Sequence, residues 1–223
     1  MSFSWLRQGV NSLPPWASNG EAMNDDAEQI IGLYDRHAQT FDRERSRNLF
    51  ERPWLDRFLA LVPHGGSILD IGCASGEPIS RYVIEAGYEH SGVDSSPAMI
   101  GLCRGRFPNN DWIVADMRTL SLGRRFTGIL AWDSFFHLSP DDQRNMFPIF
   151  REHAAPNAAL MFTSGPHAGV AMGTYQSKPL YHASLAPDEY RALFDEYGFE
   201  VMSYVAEDPS CGQHTIWLVR HCA

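Results

Sequence analysis

Short apolar segments typical of β-strands alternate with helical segments from residue 67 onwards. This alternation predicts an α/β sheet with helices on both faces. Helical crossovers between successive strands make the first five strands parallel, because a tight turn joins only antiparallel neighbours. We predict these strands at Ser67–Gly72, His90–Asp94, Trp112–Ala115, Gly128–Asp133 and Ala158–Ser164, with helices near Ile79–Ala86, Ala98–Phe107 and Pro140–His153.

The C-terminal part of the chain predicts one more helix and two further strands. The helix spans Pro187–Tyr197 and ends at Gly198, and the strands span Phe199–Glu207 and His214–His221. The turn-rich DPSCGQ between these strands is short, which makes them an antiparallel pair. The predicted fold is therefore a seven-stranded, mostly parallel α/β sheet whose last strand is antiparallel.

Two helices precede the sheet and form a predicted N-terminal cap over residues 24–64. The first begins at Asp25 and places one face of side chains at Ile30, Leu33, Tyr34, His37 and Phe41. The second runs from Glu51 to Val62. Pro14-Pro15 predicts an irregular segment over residues 1–23. We expect residues 24–223 to form a single domain.

The balance of charge narrows the classes of partner. Lys and Arg number 18 against 27 Asp and Glu, for a net charge of −9, whereas a nucleic-acid backbone requires a basic stripe. No apolar run reaches the ~20 residues of a membrane helix, and the first residues lack the apolar core of a signal peptide. Without CxxC spacing, we expect reduced thiols, no metal site and a cytoplasmic location for a chain with Cys73, Cys103, Cys211 and Cys222.

One turn, SILDIGCASGEP at residues 67–78, lies where such a sheet binds its ligands. In doubly wound sheets that place is beyond the carboxyl ends of the strands, near the start of the following helix. Gly72 and Gly76 let the backbone bend tightly and let a ligand approach closely. A dinucleotide fingerprint would need glycines where Ala74 and Glu77 stand, and a P-loop would need a following Gly-Lys-Ser/Thr.

The spacing Asp70-x-Gly72-x-Ala74-x-Gly76 resembles motif I of the class I S-adenosylmethionine (SAM) methyltransferases, with Ala74 in place of the middle glycine. Three later segments, GVDSS, VADM and ILAWDSFFHL, match that family in order, and the resemblance covers residues 25–221. It implies a Rossmann-like fold in which one carboxylate accepts the ribose hydroxyls and another the adenine amino group, at Asp94 and Asp116 respectively. It implies cofactor contacts from Tyr34, Arg45, Gly72, Cys73, Ala74, Gly76, Asp94, Ser95, Met99, Asp116, Met117, Trp132, Asp133 and His137.

The segment YDRHAQTFDRER in the first helix is similar to the N-terminal cap of small-molecule methyltransferases. On that resemblance Tyr34 closes over the methionine end of the cofactor and Arg45 neutralises its carboxylate; the alternative is a packed aromatic and a surface arginine. His137 is a possible general base, because the ordinary pKa of histidine suits proton transfer near neutrality, or else a structural histidine. Asp133 orients the methionine amino group, contacts the substrate, or only caps its loop.

Residues 165–187 follow the fifth strand with no clear periodicity. A long irregular segment in a compact domain is often functional, so we predict a substrate lid there. His214, which opens the last strand, is a further candidate to face the same cavity. Within the lid, the candidate substrate contacts, each of which is otherwise a packing residue, are His167, Tyr175, Lys178, Tyr181 and His182.

These features together predict a SAM-dependent methyltransferase that acts on a small molecule by direct displacement, with S-adenosylhomocysteine (SAH) as the second product. Two alternatives stay open. One is a catalytically silent SAM-binding subunit or sensor. The other is an NAD(P)-dependent oxidoreductase, which the interrupted dinucleotide glycines disfavour. The sequence leaves open the acceptor atom and the choice between monomer and homodimer.

Overall fold

The computed structural model of the chain describes residues 20–222. Its strands are β1 Ser67–Ile71, β2 Glu89–Asp94, β3 Asp111–Val114, β4 Phe126–Ala131, β5 Ala154–Ser164, β6 Gly169–Tyr175, β7 Lys178–Ser184, β8 Phe199–Asp208 and β9 His214–His221. Its helices are α1 Gly20–Glu44, α2 Arg52–Leu59, α3 Ile79–Glu85, α4 Pro97–Arg106, α5 Pro140–His153 and α6 Pro187–Tyr197.

Seven strands form the main sheet in the order β3-β2-β1-β4-β5-β9-β8. The strands from β1 to β5 are parallel to their neighbours. The last strand, β9, lies antiparallel between β5 and β8. This arrangement confirms the predicted fold class, a mostly parallel sheet with an antiparallel last strand.

Two apolar cores, one on each face, hold helices against the sheet. Side chains on a strand alternate between the two faces, so the continuous apolar runs of the central strands serve both cores. On β4, Ile129 packs with α5 and α6, whereas Leu130 packs with α2 and α3. On β5, Leu160 and Met161 divide in the same way. Burial on both faces explains why these strands lack a polar side.

The cap begins with a longer helix than the sequence predicts. Residues 20–23 belong to α1 rather than to an irregular segment, and the remainder of that predicted segment lies outside the described residues. Two carboxylates fasten α1 to α4. Asp35 Oδ1 accepts hydrogen bonds from Ser96 Oγ at 2.6 Å and the Ala98 N–H at 3.1 Å. Asp42 forms an ion pair with Arg106 at the other end of α4.

The prediction that residues 165–187 are irregular is wrong. Strands β6 and β7 pair antiparallel as a separate two-stranded hairpin. Its two-residue turn, Gln176-Ser177, has both residues in the left-handed region, with φ of 49° and 61°. The hairpin packs on α1 through a small apolar cluster made of Ile30, Leu33, Tyr175, Leu180, Tyr181 and Ala183. The hairpin and α1 therefore form one cover.

Three findings concern only the part of the chain from residue 20 to residue 222. No helix there is long and apolar enough to cross a bilayer. No group of three or more His, Cys, Asp or Glu side chains there is arranged to hold a metal ion. The four cysteines are free thiols.

Candidate functional site

The glycine turn winds through the left-handed region three times. Gly72, Ala74 and Gly76 have φ of 77°, 48° and 76°. The turn is tied to the second strand, because the N–H groups of Gly72 and Cys73 both donate to the Val93 carbonyl, at 2.7 and 3.0 Å. The tight bend predicted for this turn is therefore present, and Ala74 adopts it without a glycine.

Protein atoms fill the Cβ directions of the two glycines, and the close approach of a ligand to this turn stays a prediction. A Cβ on Gly72 would overlap the side chain of Ser134 and lie 2.7 Å from its Oγ. A Cβ on Gly76 would lie 3.2 Å from the Phe107 ring and 3.4 Å from Cys103 Sγ. The absence of a side chain at the two glycines therefore lets Ser134, Phe107 and Cys103 pack closely against the turn.

Asp94 ends β2 beside this turn and is half-buried. Its Oδ2 accepts the Ala74 N–H and its Oδ1 the Ser96 N–H, each at 2.9 Å. Burial raises the pKa of Asp94 to about 6, although both backbone hydrogen bonds favour the carboxylate; the charges of Asp70 and Asp35 add to the rise. The carboxylate is therefore fixed at the carboxyl edge of the sheet, where its predicted ribose partner would lie.

The other predicted cofactor residues divide into those near the turn and those already paired. Cys73 and Met99 are buried, and Ser95 is half-buried. Met117 packs beside Gly72, with its Cε 3.6 Å from the Cβ position there. Both oxygens of Asp116 accept hydrogen bonds from the Arg118 guanidinium, so an adenine amino group would share this carboxylate with Arg118.

Tyr34 on α1 and His137 after β4 form a hydrogen-bonded pair. The Tyr34 hydroxyl lies 3.1 Å from His137 Nε2, and His137 Nδ1 lies 2.8 Å from the Tyr181 carbonyl. A carbonyl only accepts, so Nδ1 carries the proton and Nε2 accepts from Tyr34. The Tyr34 ring also stacks on Tyr175, with centroids 5.9 Å apart. This chain of contacts joins α1, the site and the hairpin.

The His137–Tyr34 arrangement favours a positioning role for His137 over general base catalysis. Both ring nitrogens are engaged, and burial beside His182 lowers the pKa of His137 to about 3. Burial and the charge of Asp133 raise the pKa of Tyr34 well above its usual range. The imidazole is therefore neutral and weakly basic, and the predicted base role remains a prediction that this geometry does not support.

Asp133 and His214 form a second pair at the end of β4 and the start of β9. His214 Nε2 lies 2.9 Å from Asp133 Oδ1, and its Nδ1 lies 2.7 Å from the Cys211 carbonyl. Burial disfavours a charged imidazole, but the Asp133 carboxylate outweighs it and raises the pKa of His214 to about 9. The ring lies between Trp132, stacked at 5.4 Å, and Phe50, at 5.6 Å. Aromatic faces attract cations, so this setting suits an imidazolium.

Arg45 is paired with a residue that the sequence interpretation missed. Its Nη2 donates to Glu51 Oε1 at 2.6 Å, and the Glu51 side chain is fully buried. Burial raises the pKa of Glu51 against the opposing charge of Arg45. The surface alternative for Arg45 is therefore wrong. Of the other residues missed, Asp35 and Asp42 are the two aspartates of the YDRHAQTFDRER pattern, which was the available signal.

The predicted lid residues divide into buried and exposed side chains. Tyr175 and Tyr181 are buried, and the His182 ring lies 4.9 Å from that of His137. His167 and Lys178 are exposed. The hairpin therefore meets the carboxyl edge of β4 through the Tyr181 carbonyl and the His182 ring, which both lie against His137.

The described residues fit SAM at this edge. Asp94 presents a carboxylate beside the turn, and Tyr34 and Asp133 lie farther along the same edge. Two buried polar atoms of this region, Trp132 Nε1 and the Tyr175 hydroxyl, have no hydrogen-bond partner within residues 20–222. Buried polar groups are normally paired, so these atoms are expected to gain partners from a polar ligand.

The His214 imidazolium makes a testable contribution to stability. Because its folded pKa lies above the unfolded value of 6.5, the contribution is complete below pH 6.5 and is lost as pH rises through about 9. We expect wild type to exceed His214→Gln in unfolding free energy by at most about 3 kcal/mol near pH 6, and the gap to shrink by pH 10. Urea unfolding across this range measures it, with the exposed His167→Gln as control. A gap that stays constant or widens with pH would exclude the imidazolium.

Residues 68–157 match the family model described as a methyltransferase domain. A Streptomyces venezuelae dTDP-3-amino-3,4,6-trideoxy-alpha-D-glucopyranose N,N-dimethyltransferase is 27% identical over 102 residues, which are 45% of this chain and 43% of that protein. A Streptomyces fradiae dTDP-3-amino-3,6-dideoxy-alpha-D-glucopyranose N,N-dimethyltransferase is 27% identical over 135 residues, 60% of this chain and 52% of that protein. The chain spans about half the length of these curated relatives.

Solved structures share the whole architecture at low identity. A Burkholderia thailandensis 1,6-didemethyltoxoflavin-N1-methyltransferase with bound SAH superposes with a TM-score of 0.71 at 14% identity, covering 97% of this chain and 99% of that one. A SAM-bound amino pentose methyltransferase from Micromonospora echinaspora gives a TM-score of 0.64 at 18% identity, covering 83% and 96%. The chain therefore shares its fold with these SAM-dependent methyltransferases, and its residues 68–157 match a methyltransferase domain.

Proposed function

We propose that this protein is an enzyme that transfers a methyl group from SAM to a small-molecule acceptor. The observation that carries the proposal is the Asp94 carboxylate, held against the left-handed turn by the Ala74 and Ser96 N–H groups at the carboxyl edge of the sheet. The methyltransferase-domain match over residues 68–157 supports it. SAM-bound and SAH-bound proteins with the same fold support the cofactor.

In this proposal Asp94 holds the ribose hydroxyls and α1 covers the bound cofactor. When bound, SAM supplies a methyl group on a cationic sulfur; the acceptor lone pair forms the new bond to carbon, and the carbon–sulfur electron pair stays on sulfur. The residues of this chain supply position and exclusion of water. Holding the acceptor against the methyl group yields much of the acceleration.

The α1–hairpin cover gives the acceptor site its enclosure. Tyr34 and Tyr175 stack across it, and His137 ties it to β4 through Tyr34 and the Tyr181 carbonyl. An acceptor would therefore enter beneath the hairpin, in the role predicted for a substrate lid. Asp133 and His214 lie at that end of the site.

We place this protein in the cytoplasm. Its acidic surface favours a small-molecule acceptor over a nucleic acid. The net charge of −9 opposes binding to a phosphate backbone. The two curated relatives are named for dTDP-linked amino sugars, so amino-sugar nucleotides are the first acceptors to screen.

The experiment is a transfer assay with methyl-labelled SAM against amino-sugar nucleotides and a fractionated metabolite pool. We expect labelled methyl on a small-molecule fraction, with loss of transfer in the Asp94→Ala variant. SAM binding without transfer to any fraction, together with a co-purifying partner chain, would instead indicate the silent subunit. Transfer of label only to protein or nucleic acid would contradict the small-molecule proposal.

A further inference from the structure

The Asp133 carboxylate is held in place by the backbone rather than by its own flexible side chain. Asp133 has φ of 50°, in the left-handed region that residues other than glycine rarely adopt. Its N–H donates to Thr163 Oγ1 at 2.9 Å, and that oxygen lies 3.4 Å from Asp133 Oδ1. The strand end therefore turns sharply, and β5 fixes the direction of the carboxylate.

His214 forms a hydrogen bond with one oxygen of the Asp133 carboxylate, Oδ1, and does not use the other oxygen, Oδ2. Its Nδ1 is paired with the Cys211 carbonyl and its Nε2 with Asp133 Oδ1, so both ring nitrogens are engaged within the protein. Asp133 Oδ2 receives no hydrogen bond from the residues that the structure describes, although a carboxylate has about four lone-pair sites. The Asp133 side chain remains 31% exposed. One carboxylate oxygen is thus available to a ligand.

The charged groups around Asp133 determine which kind of ligand group can bind to Oδ2. Arg45 forms an ion pair with Glu51, and His214 pairs with Asp133 Oδ1. His137 is hydrogen-bonded at both ring nitrogens. The available atom is therefore an anionic acceptor of hydrogen bonds. It attracts a positively charged donor group and repels a negatively charged group at the same position.

We propose that Asp133 Oδ2 binds the amino group of the methyl acceptor, so that the substrate of this site is an amine, and that His214 is the positioning residue that fixes the carboxylate. The inference rests on the proposed methyl transfer. A neutral amine that gains a methyl group becomes a cation, and the Asp133 carboxylate beside it stabilises that charge. An amine that binds in its protonated form first gives one proton to water, which frees the nitrogen lone pair that attacks the methyl carbon. The methylated nitrogen then carries the positive charge beside Asp133, and neither His137 nor His214 takes the proton.

The test measures binding of two matched probes to the SAH-saturated protein. Cyclohexylamine, which is protonated at neutral pH, and cyclohexanol differ only in the polar group. We expect the amine to bind at least about tenfold more tightly than the alcohol, as one charge-assisted hydrogen bond allows. NMR saturation transfer and calorimetric titration measure both affinities without turnover.

Three variants separate the roles of the carboxylate and the histidine. Asp133→Asn keeps the shape and should abolish the amine preference while SAH affinity changes less than about threefold. His214→Gln should reduce the preference by part of that amount. The matched control is Glu200→Gln, an exposed carboxylate on β8 that pairs with Arg220, and it should leave the preference intact.

Several outcomes would overturn the inference, and one concerns the proposed function alone. Equal binding of amine and alcohol by wild type, or a preference that survives in Asp133→Asn, would exclude amine selection by Asp133. A tenfold loss of SAH affinity in Asp133→Asn with the preference intact would assign the carboxylate to the cofactor amino group. Failure of SAH to bind wild type would reject the proposed function, on which the inference rests.

Discussion

Replacing Asp94 with alanine is expected to lower the affinity for SAM and SAH at least tenfold. The substitution removes the acceptor for the ribose hydroxyls and leaves those hydroxyls unpaired in a partly buried site. It also releases the Ala74 and Ser96 N–H groups that hold the turn. Calorimetric titration measures the affinity, and thermal unfolding checks that the variant is folded. Asp141→Ala, at the exposed start of α5, is the matched control.

The same carboxylate gives the binding a pH dependence. Because the pKa of Asp94 is about 6, the acid form dominates below that pH and loses the acceptor role. Affinity for SAH is therefore expected to fall as pH drops from 7 to 5, and Asp94→Asn should remove this dependence. Unchanged affinity in a folded Asp94→Ala variant would show that the cofactor is bound elsewhere.

Replacing Gly72 with alanine is expected to be among the most destabilising single substitutions in the turn. A left-handed φ costs alanine about 1–2 kcal/mol, and the new methyl would overlap Ser134. Ser134 is buried and donates to the Ile71 carbonyl at 2.7 Å, so it has little freedom to move. We expect a loss of about 3 kcal/mol or more in urea unfolding.

Gly76→Ala is the matched control for this prediction. Its φ of 76° is nearly that of Gly72, but the nearest atom to a new Cβ lies at 3.2 Å. Backbone strain alone should then cost about 1–2 kcal/mol. Ser134→Gly should recover part of the Gly72→Ala loss in a double-mutant cycle. Equal losses at the two glycines, with no recovery, would contradict the overlap with Ser134.

The sequence predicted most accurately those elements that carry their own stop and start signals. Helix α5 has the predicted bounds because Ser139 caps it through the Asp142 N–H at 3.1 Å and Pro140 opens its first turn. Helix α6 ends as predicted because Gly198 adopts a φ of 77°. These signals are local, so the chain alone carries them.

The hairpin was missed because its turn lacks the usual residues. Two-residue hairpin turns with both residues at positive φ normally contain Asn or Gly, whereas here Gln176 and Ser177 occupy these positions. The outer strand, GVAMGTY, is mostly exposed and shows no apolar alternation. The hairpin is instead stabilised by packing on α1, which lies far away in sequence.

The site residues divide in the same way: those with a sequence signal were predicted, and the pairings that depend on the folded chain were missed. The motif spacing located Asp94 and the turn, because neighbouring strand ends meet at one edge of a parallel sheet. It did not reveal that Arg45 pairs with the buried Glu51, or that Asp133 and His214, 81 positions apart, share a hydrogen bond. The first pairing depends on the path of the chain between α1 and α2, and the second on how the ends of β4 and β9 meet, and the motif spacing encodes neither.

The most direct test of the central claim is a calorimetric titration of the purified, ligand-free protein with SAM and SAH, and with NAD(P)H as the control. Saturable binding of SAM and SAH, with none of NAD(P)H, is the predicted result. Binding of NAD(P)H alone to the folded protein would contradict the SAM site at the glycine turn and, with it, the proposed methyl transfer.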